Sequence, residues 1–549
     1  MRGFQVWPVE DEPHLWAVSV SYFSPKLNQL VKRVPGAYWD GKRRLHVGYV
    51  DAIEQVVARL KEQGLNTEEV PPNKREWPHN LPASYESARD YQRIGIDFLI
   101  NQAGSGALLA DDMGVGKSFQ TVKAVRALRR KTVIVCPAHV RGVWERPKSL
   151  DDKGGELAKW WPDANVFAPY GTKSEEIPEE ADVFVTHYDI VHAWVDAVIK
   201  WGRGKLTSVF DEAQILLNPT SRRSKACREI AAESLGRIAL TGTPPIEYIK
   251  DFYNVVETIS PGRFGDFFQY GIRYCDGQKR DVPGPGGTMR TVWDFSGTSN
   301  KKEMRQRLDW FCLRRTKREV LKELPAMQRQ VVDVEVPARN RLGVDARLVG
   351  DKRRMRMALD SAADGKFKSV LRLIRDHLEA GQRVVVGTYR RAVCEAVADA
   401  MSEFAPSAYI HGGIPLTRRP KIITDLAKKK GPVCLAANID CTSTGIDLTF
   451  ASIGVIAELV WEPRELVQWE ARLHRFGQQE PVLIQYVIAR GTGDELILQA
   501  VINKLDNFLD LFETDKGDGL KETLAGDKDE GLSRLAAALK KMGKKAKAA

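Results

Sequence analysis

Residues 108–121 read LLADDMGVGKSFQT. A short apolar strand runs into the tight loop Met113-Gly114-Val115-Gly116-Lys117-Ser118, and a helix follows. Glycines at this junction let backbone N–H groups face inward without Cβ interference, which makes an anion nest at a helix N-terminus. Lys117 would then reach the β- and γ-phosphates of a nucleotide, and the Ser118 hydroxyl would ligate magnesium. The common form of such a loop has Gly at position 111, where this chain has Asp. The match is therefore partial, and a Gly-containing structural turn would read similarly.

Around that loop, short apolar runs alternate with helical stretches. Ala107–Ala110, Thr132–Val135, Val183–Thr186, Leu206–Phe210 and Ile238–Leu240 form one strand series. Val384–Val386, Tyr409–Ile410, Val433–Ala436, Ile453–Ile456 and Leu483–Ile488 form a second. This pattern predicts two α/β lobes, each a doubly wound parallel sheet. In the first lobe Leu206–Phe210 ends in Asp211-Glu212-Ala213-Gln214. Carboxylates at the end of a parallel strand sit at the ligand-binding edge of such a sheet. Asp211 suits a magnesium ion, held mainly through water, and Glu212 suits a general base that polarises the attacking water. A D-E pair in isolation would be solvated surface charge; downstream of a phosphate loop it points to an ATPase. Thr241-Gly242-Thr243-Pro244 follows the last strand of that series and could couple the nucleotide to a neighbouring lobe, or simply be a Pro-terminated loop. Upstream, Gln92 carries a donor and an acceptor that match an adenine edge. In the second lobe Arg472 and Arg475 are three residues apart, hence on one face if the segment is a helix. Two guanidinium groups so placed could reach bound phosphates, and a solvated basic face is the alternative.

Composition sets the wider bounds. The chain has 549 residues, 43% apolar and 28% charged, which predicts several globular domains and excludes collagen, long disorder and a disulfide miniprotein. Lys+Arg 83 against Asp+Glu 72 gives +11, an excess that suits a polyanion. The seven cysteines are scattered, with no C-x-x-C pair, so neither a zinc site nor a disulfide framework is indicated and a reducing compartment is expected. No apolar run approaches the ~18 residues of a membrane span, and Asp11 and Glu12 stand where a signal peptide would be apolar. Residues 14–64 read as a separate small βαββα unit, with a strand in Trp16–Tyr22, a helix opened by Ser24 and Pro25, a hairpin about Asp40-Gly41, and a helix capped by Asp51. Pro71, Pro72, Pro78 and Pro82 mark a linker, so residues 1–75 are expected to be removable without unfolding the rest. The end of the chain has Leu535 and Leu539 at helical spacing and then a lysine-rich tail.

Taken in order, these pieces resemble the superfamily-two helicase core of the SWI/SNF-like ATP-dependent DNA translocases. The matching segments are Tyr91-Gln92, LADDMGVGKSFQT, VIVCPAHVRGVWE (133–145), VTHYD (185–189), DEAQ (211–214), LTGTP (240–244), RRTKREVLKELP (314–325), VVVGTY (384–389), IHGG (410–413), AANIDCTSTGIDLT (436–449) and QWEARLHRFGQQ (468–479). The resemblance covers roughly residues 85–495, and the RRTK-type stretch makes it specific. It implies two RecA-like lobes that close on ATP and magnesium. In that likeness Gln92 contacts adenine; Gly114, Gly116, Lys117 and Ser118 hold the phosphates; Asp211 and Glu212 serve the metal and the water. Arg472 and Arg475 are arginine fingers supplied from the second lobe. Thr186, Thr388, Thr442, Ser443 and Thr444 lie along a nucleic-acid groove, with Gly445 and Asp447 between groove and nucleotide. Two departures stand out: the family usually has His at Gln214 and Glu at Asp112, which implies altered coupling in a working site. Residues 22–47, YFSPKLNQLVKRVPGAYWDGKRRLHV, are also similar to the HARP domain of annealing helicases. Lys26, Lys32, Arg33, Lys42, Arg43 and Arg44, interleaved with Tyr38 and Trp39, would suit a DNA junction.

The expected organisation is a small HARP-like α+β domain (1–75), an ATP-binding RecA-like lobe (80–245), a helical insert (246–365), a second RecA-like lobe (366–505) and a helical, lysine-rich tail (506–549). The expected activity is a DNA-dependent ATPase that translocates along duplex or forked DNA, gripping phosphates, and remodels branched DNA or displaces proteins. The alternatives are a strand-separating DNA or RNA helicase, or a nucleic-acid-binding scaffold with a degenerate motor. A monomer is expected, without membrane contact, in the cytoplasm of a bacterial, archaeal or phage-infected cell, or in a nucleus if the host is eukaryotic.

Overall fold

Leu206–Phe210 is buried along its whole length, yet its side chains divide between two cores. Leu206 and Phe210 pack with Val133 and Val135 on one side, while Val209 packs with Ile134 and Cys136 on the other. That period of two, with both faces covered, is what a parallel sheet between helix layers requires. The computed structural model describes residues 3–512, apart from 10–11, 21–24, 44, 68–86, 146–153, 243–248, 284–287, 341–351, 416–417 and 443–445. The prolines of the linker, the cap Ser24, Arg44, Thr243-Pro244, Ser443, Thr444, Gly445 and the C-terminal tail lie outside the described residues.

The chain divides into two compact units, one holding residues 1–112 and 116–315, the other holding residues 316–509. In the first unit, β1 (Gly3–Val9), β2 (Glu12–Val20), β3 (Ala37–Asp40), β4 (Leu45–Tyr49) and β5 (Asn66–Thr67) form a small sheet in the order β3-β4-β2-β1-β5. Neighbours are antiparallel except β1 and β5. The helices Pro25–Lys32 and Val50–Glu62 complete this unit, as expected, and β1 and β5 are additions to the expected set. Asp51 does not cap its helix: Tyr49 holds the cap position, and the Asp51 side chain turns inward.

The large sheet of the first unit contains β6 (Ala107–Leu109), β7 (Lys131–Cys136), β8 (Val166–Phe167), β9 (Val183–His187), β10 (Leu206–Phe210), β11 (Ser234–Leu240) and β14 (Cys312–Leu313). Its order is β14-β6-β11-β10-β7-β9-β8, and every pairing is parallel. The antiparallel hairpin β12 (Gln278–Pro283) and β13 (Met289–Asp294) lies in the insert region beside its helices. The second unit is built on β15 (Met327–Val334), β16 (Val384–Thr388), β17 (Ser407–Ile410), β18 (Cys434–Asn438), β19 (Ile453–Ile456) and β20 (Val482–Ala489). They run all parallel in the order β15-β20-β19-β16-β18-β17. Here too the faces divide, Val385 packing on one side and Val384 and Val386 on the other. The fold is therefore two RecA-like α/β lobes with a small N-terminal sheet and an insert. The edge strands β14 and β15 escape the sequence because they are short or half-exposed, without a buried apolar run. No helix among the described residues is long and apolar enough to cross a membrane.

Candidate active site

Strand order explains why motifs scattered over more than a hundred residues meet. The phosphate loop follows β6, Thr241 follows β11, and Asp211-Glu212 follows β10; these three strands are neighbours in the sheet. All three motifs thus sit at carboxyl ends, at the edge where open α/β sheets bind ligands. Gly114 and Gly116 have φ of +84° and +88°, backbone that side chains rarely adopt. A Cβ on Gly116 would stand 2.7 Å from the Gln92 amide nitrogen, so the loop closes directly on Gln92. Lys117 and Ser118 open the helix Lys117–Leu128. The Lys117 ammonium donates to the carbonyls of Asp111 and Asp112 at 2.8 and 3.1 Å. Burial lowers its pKa, with Glu212, Asp111, Asp112 and Asp211 pulling the other way. An incoming phosphate offers this cation a charged acceptor in place of two neutral ones.

Asp211 has both oxygens engaged. Oδ2 accepts the Trp144 indole N–H at 2.8 Å, and Oδ1 accepts the Glu212 backbone N–H at 3.0 Å. Burial and the neighbouring Glu212 charge raise its pKa to about 7. Glu212 itself sits at φ +50°, a strained left-handed backbone of the kind found at functional sites. Its Oε2 accepts from the Gln214 amide, whose Oε1 in turn accepts the Thr241 hydroxyl at 2.9 Å. Gln214, standing where the resemblance has His, therefore joins the general-base position to the segment after β11 with one donor and one acceptor.

The Ser118 hydroxyl and the Asp211 carboxylate are hard oxygen donors, which suit magnesium. No cluster of three or more His, Cys, Asp or Glu side chains placed for a metal occurs among the described residues. One carboxylate and one hydroxyl fit an ion whose other ligands come from nucleotide phosphates and water. If Asp211 takes the divalent cation, uptake expels the proton it carries at lower pH. The affinity for magnesium–nucleotide is therefore expected to rise with pH up to about 7 and to flatten above it. Calorimetry in buffers of different ionisation enthalpy reads the released proton directly, and Asp211→Asn should abolish that release.

Several residues that shape the site have no role in the motif reading. Asp111, where the common loop has Gly, is fully buried and pairs with Arg315 through both oxygens. Arg315 also bonds the Gln120 amide oxygen at 2.9 Å and the Tyr91 carbonyl. Arg314 bonds the Ala110 carbonyl at 2.9 Å and the Asp112 carboxylate at 3.2 Å. The RR of the RRTK stretch thus clamps the phosphate loop, and the odd aspartates are its anchors. Their signal in the sequence is a pair of acidic departures from pattern matched by a pair of arginines far along the chain. Trp144 lies in the VIVCPAHVRGVWE segment, and only its contact with Asp211 gives it a role.

In the second unit the helix Pro463–Leu473 ends at Leu473. Arg472 is in its last turn and Arg475 lies beyond it, so the two do not share a helix face as the i, i+3 spacing predicts. The chain turns at His474, whose ring bonds the Pro325 carbonyl at 2.7 Å and whose own carbonyl accepts from Lys317 at 2.6 Å. Arg475 lies 4.0 Å from the Asp447 carboxylate. Two residues expected along a nucleic-acid groove lie in the interior of their lobes. Thr186 and Thr388 are fully buried, and the Thr388 hydroxyl bonds the Asn438 side chain at 3.0 Å. Their hydroxyls are closed off from solvent in this conformation. Thr442 ends the short helix Ile439–Thr442. In the N-terminal unit Tyr38 and Trp39 are about half exposed, while Arg43 is taken by Asp40 and Glu12.

Comparison with known proteins places these features in a family. The SWI/SNF-related matrix-associated actin-dependent regulator of chromatin subfamily A-like protein 1 of Xenopus tropicalis is 28% identical over 444 residues, 76% of this chain and 44% of that protein. The DNA annealing helicase and endonuclease ZRANB3 of Mus musculus is 27% identical over 451 residues, 75% of this chain and 40% of its own length. The chain thus spans less than half the length of these two curated relatives. A solved Sulfolobus solfataricus SWI2/SNF2 ATPase core in complex with dsDNA is 22% identical, with 80% of this chain and 96% of that one covered and a TM-score of 0.37. The helicase conserved C-terminal domain matches residues 365–477. The SNF2-related domain matches residues 91–373, more than half of the 549, and the chain belongs to the SNF2-related family.

Proposed function

We propose that this chain is an ATP-dependent translocase on duplex DNA that remodels branched DNA or displaces bound proteins. The observation that carries the reading is the bonded series Glu212–Gln214–Thr241, which ties the hydrolytic carboxylate to the segment following the neighbouring strand. Such a series lets the state of the nucleotide be felt outside its pocket, which a passive scaffold would not need. Lys117, Glu212, Arg472 and Arg475 are all present, so a degenerate motor is disfavoured. In this reading Arg472 and Arg475 serve as fingers on the nucleotide. A relative named as an annealing helicase supports duplex tracking over strand separation. The N-terminal unit, read as HARP-like, offers the exposed Tyr38 and Trp39 beside Lys42 to a DNA junction.

A motor that holds phosphates without reading bases should be stimulated most by duplex or forked DNA, fall steeply with salt, and show little sequence preference. It should displace a third strand from a triplex and fail to unwind a tailed duplex. The test is ATP turnover titrated with single-stranded, duplex and forked DNA and with RNA at two salt concentrations, beside both strand assays. Best stimulation by RNA or single strands, with unwinding of the tailed duplex, would replace this reading by a strand-separating helicase.

A further inference from the structure

The carboxyl end of the helix Pro463–Leu473 leaves carbonyls without partners inside the helix, as every helix does. Here they are met from outside. The Arg472 carbonyl accepts the Leu448 N–H at 3.1 Å, and the Leu473 carbonyl accepts the Gln478 side-chain amide at 3.0 Å. The His474 carbonyl accepts the Lys317 ammonium at 2.6 Å, and the His474 ring donates from Nε2 to the Pro325 carbonyl at 2.7 Å. The Arg475 carbonyl then accepts the Gln478 N–H at 3.0 Å.

The Arg475 side chain has no comparable support. Asp447, at 4.0 Å, is beyond hydrogen-bond reach, and no hydrogen bond to the guanidinium occurs among the described residues. Its direction is therefore set at its root, by the peptide planes on either side of its Cα. The plane before it joins the His474 carbonyl to the Arg475 N–H, and a planar peptide moves as one body. Lys317 bonds that plane directly, and a charge-assisted bond is roughly twice as strong as a neutral one.

Lys317 is itself firmly placed. It opens the short helix Lys317–Val320 after a capping box, in which the Thr316 hydroxyl accepts the Glu319 N–H at 3.3 Å and the Glu319 carboxylate accepts the Thr316 N–H at 2.7 Å. Just before Thr316 stand Arg314 and Arg315, which bond the Asp112 and Asp111 carboxylates. Pro325 leads into β15, which pairs with β20 along its length. A single residue, Thr316, thus separates the clamp on the phosphate loop from the grip on the turn before Arg475.

We propose that Lys317 is a positioning residue for Arg475, holding the peptide plane before it and taking no part in binding the nucleotide. The proposal rests on the reading of Arg475 as a finger. A lysine that only caps a helix end contributes stability alone. A positioning residue instead lowers the transition state on which the finger acts, and leaves ATP binding as it was.

The test uses the full chain, with steady-state turnover on duplex DNA set beside equilibrium binding of a non-hydrolysable ATP analogue. Lys317→Met should lower kcat about 10- to 100-fold, the scale of a misplaced catalytic group, with the analogue's Kd unchanged. Lys317→Gln, polar but shorter, should behave alike and takes the place of the Met variant if that one does not fold. Added to Arg475→Ala, either substitution should cost less than about twofold more, because nothing is left to position once the finger is gone. With Arg475→Ala itself impaired, three results each overturn the proposal alone: wild-type turnover in a folded Lys317 variant, losses that multiply in the double variant, or analogue binding weakened as much as turnover. Wild-type turnover in Arg475→Ala removes the finger reading, and the proposal with it.

Discussion

Glu212→Gln should bind ATP as the wild-type chain does and hydrolyse it about 10²–10⁴-fold more slowly, the usual range for loss of a positioned general base. The substitution is nearly isosteric. Its amide oxygen can still accept from Gln214, so the bond from Gln214 to Thr241 need not change. What disappears is the carboxylate proposed to polarise the attacking water. Lys117→Ala makes the contrast, because it removes the cation that now spans the Asp111 and Asp112 carbonyls and should weaken nucleotide binding itself. Equilibrium binding of a fluorescent ATP analogue, set beside steady-state turnover on duplex DNA, separates the two effects. Turnover near the wild-type rate in Glu212→Gln would place the base elsewhere, with Asp211 the next carboxylate to test.

The sequence is most legible where the site lies on strand ends. β6 and β10 are short, continuous and apolar, and each is followed closely by its polar motif; Lys117, Asp211 and Glu212 can therefore be picked out from local pattern alone. The contacts that tune these residues are not local. Trp144 reaches Asp211 from 67 positions away, and Arg315 reaches Asp111 from 204. Sheet order, which sequence spacing does not encode, creates both meetings. The arginine pair shows the opposite failure: spacing suggests a shared helix face, but the helix stops at Leu473 and the chain turns at His474, held there by Lys317 and the Pro325 carbonyl. Motif position alone assigns Thr186 and Thr388 to a groove, and motif position carries no information about burial.

The N-terminal unit is where the structure adds most to a reading by composition. It has its own small apolar cores, as the proline-rich linker suggests. Autonomy does not follow, because the unit is also locked to the first lobe by charge. Asp51, fully buried, takes Arg263 at 2.6 Å on one oxygen and Arg307 at 2.8 Å on the other. Arg307 is fully buried too, and its remaining donors go to the carbonyls of Pro35 and Arg263 and to the Tyr274 hydroxyl. Removing one member of a buried ion group leaves the others desolvated without compensation, typically a loss of about 3–5 kcal/mol. Asp51→Asn keeps the shape and deletes the charge, so it should destabilise the first lobe by an amount of that order, read as a lower urea midpoint at unchanged slope. Deleting residues 1–75 strands both arginines and should yield a chain that aggregates or melts early, not a free-standing motor. Replacing all three residues together, with Asp51→Leu, Arg263→Met and Arg307→Met, should recover much of the loss, since apolar side chains of similar volume can substitute for a buried ion triad. An Asp51→Asn chain that unfolds at the wild-type midpoint would mean that the N-terminal unit is not seated on the lobe in solution, and the truncated motor should then stand alone.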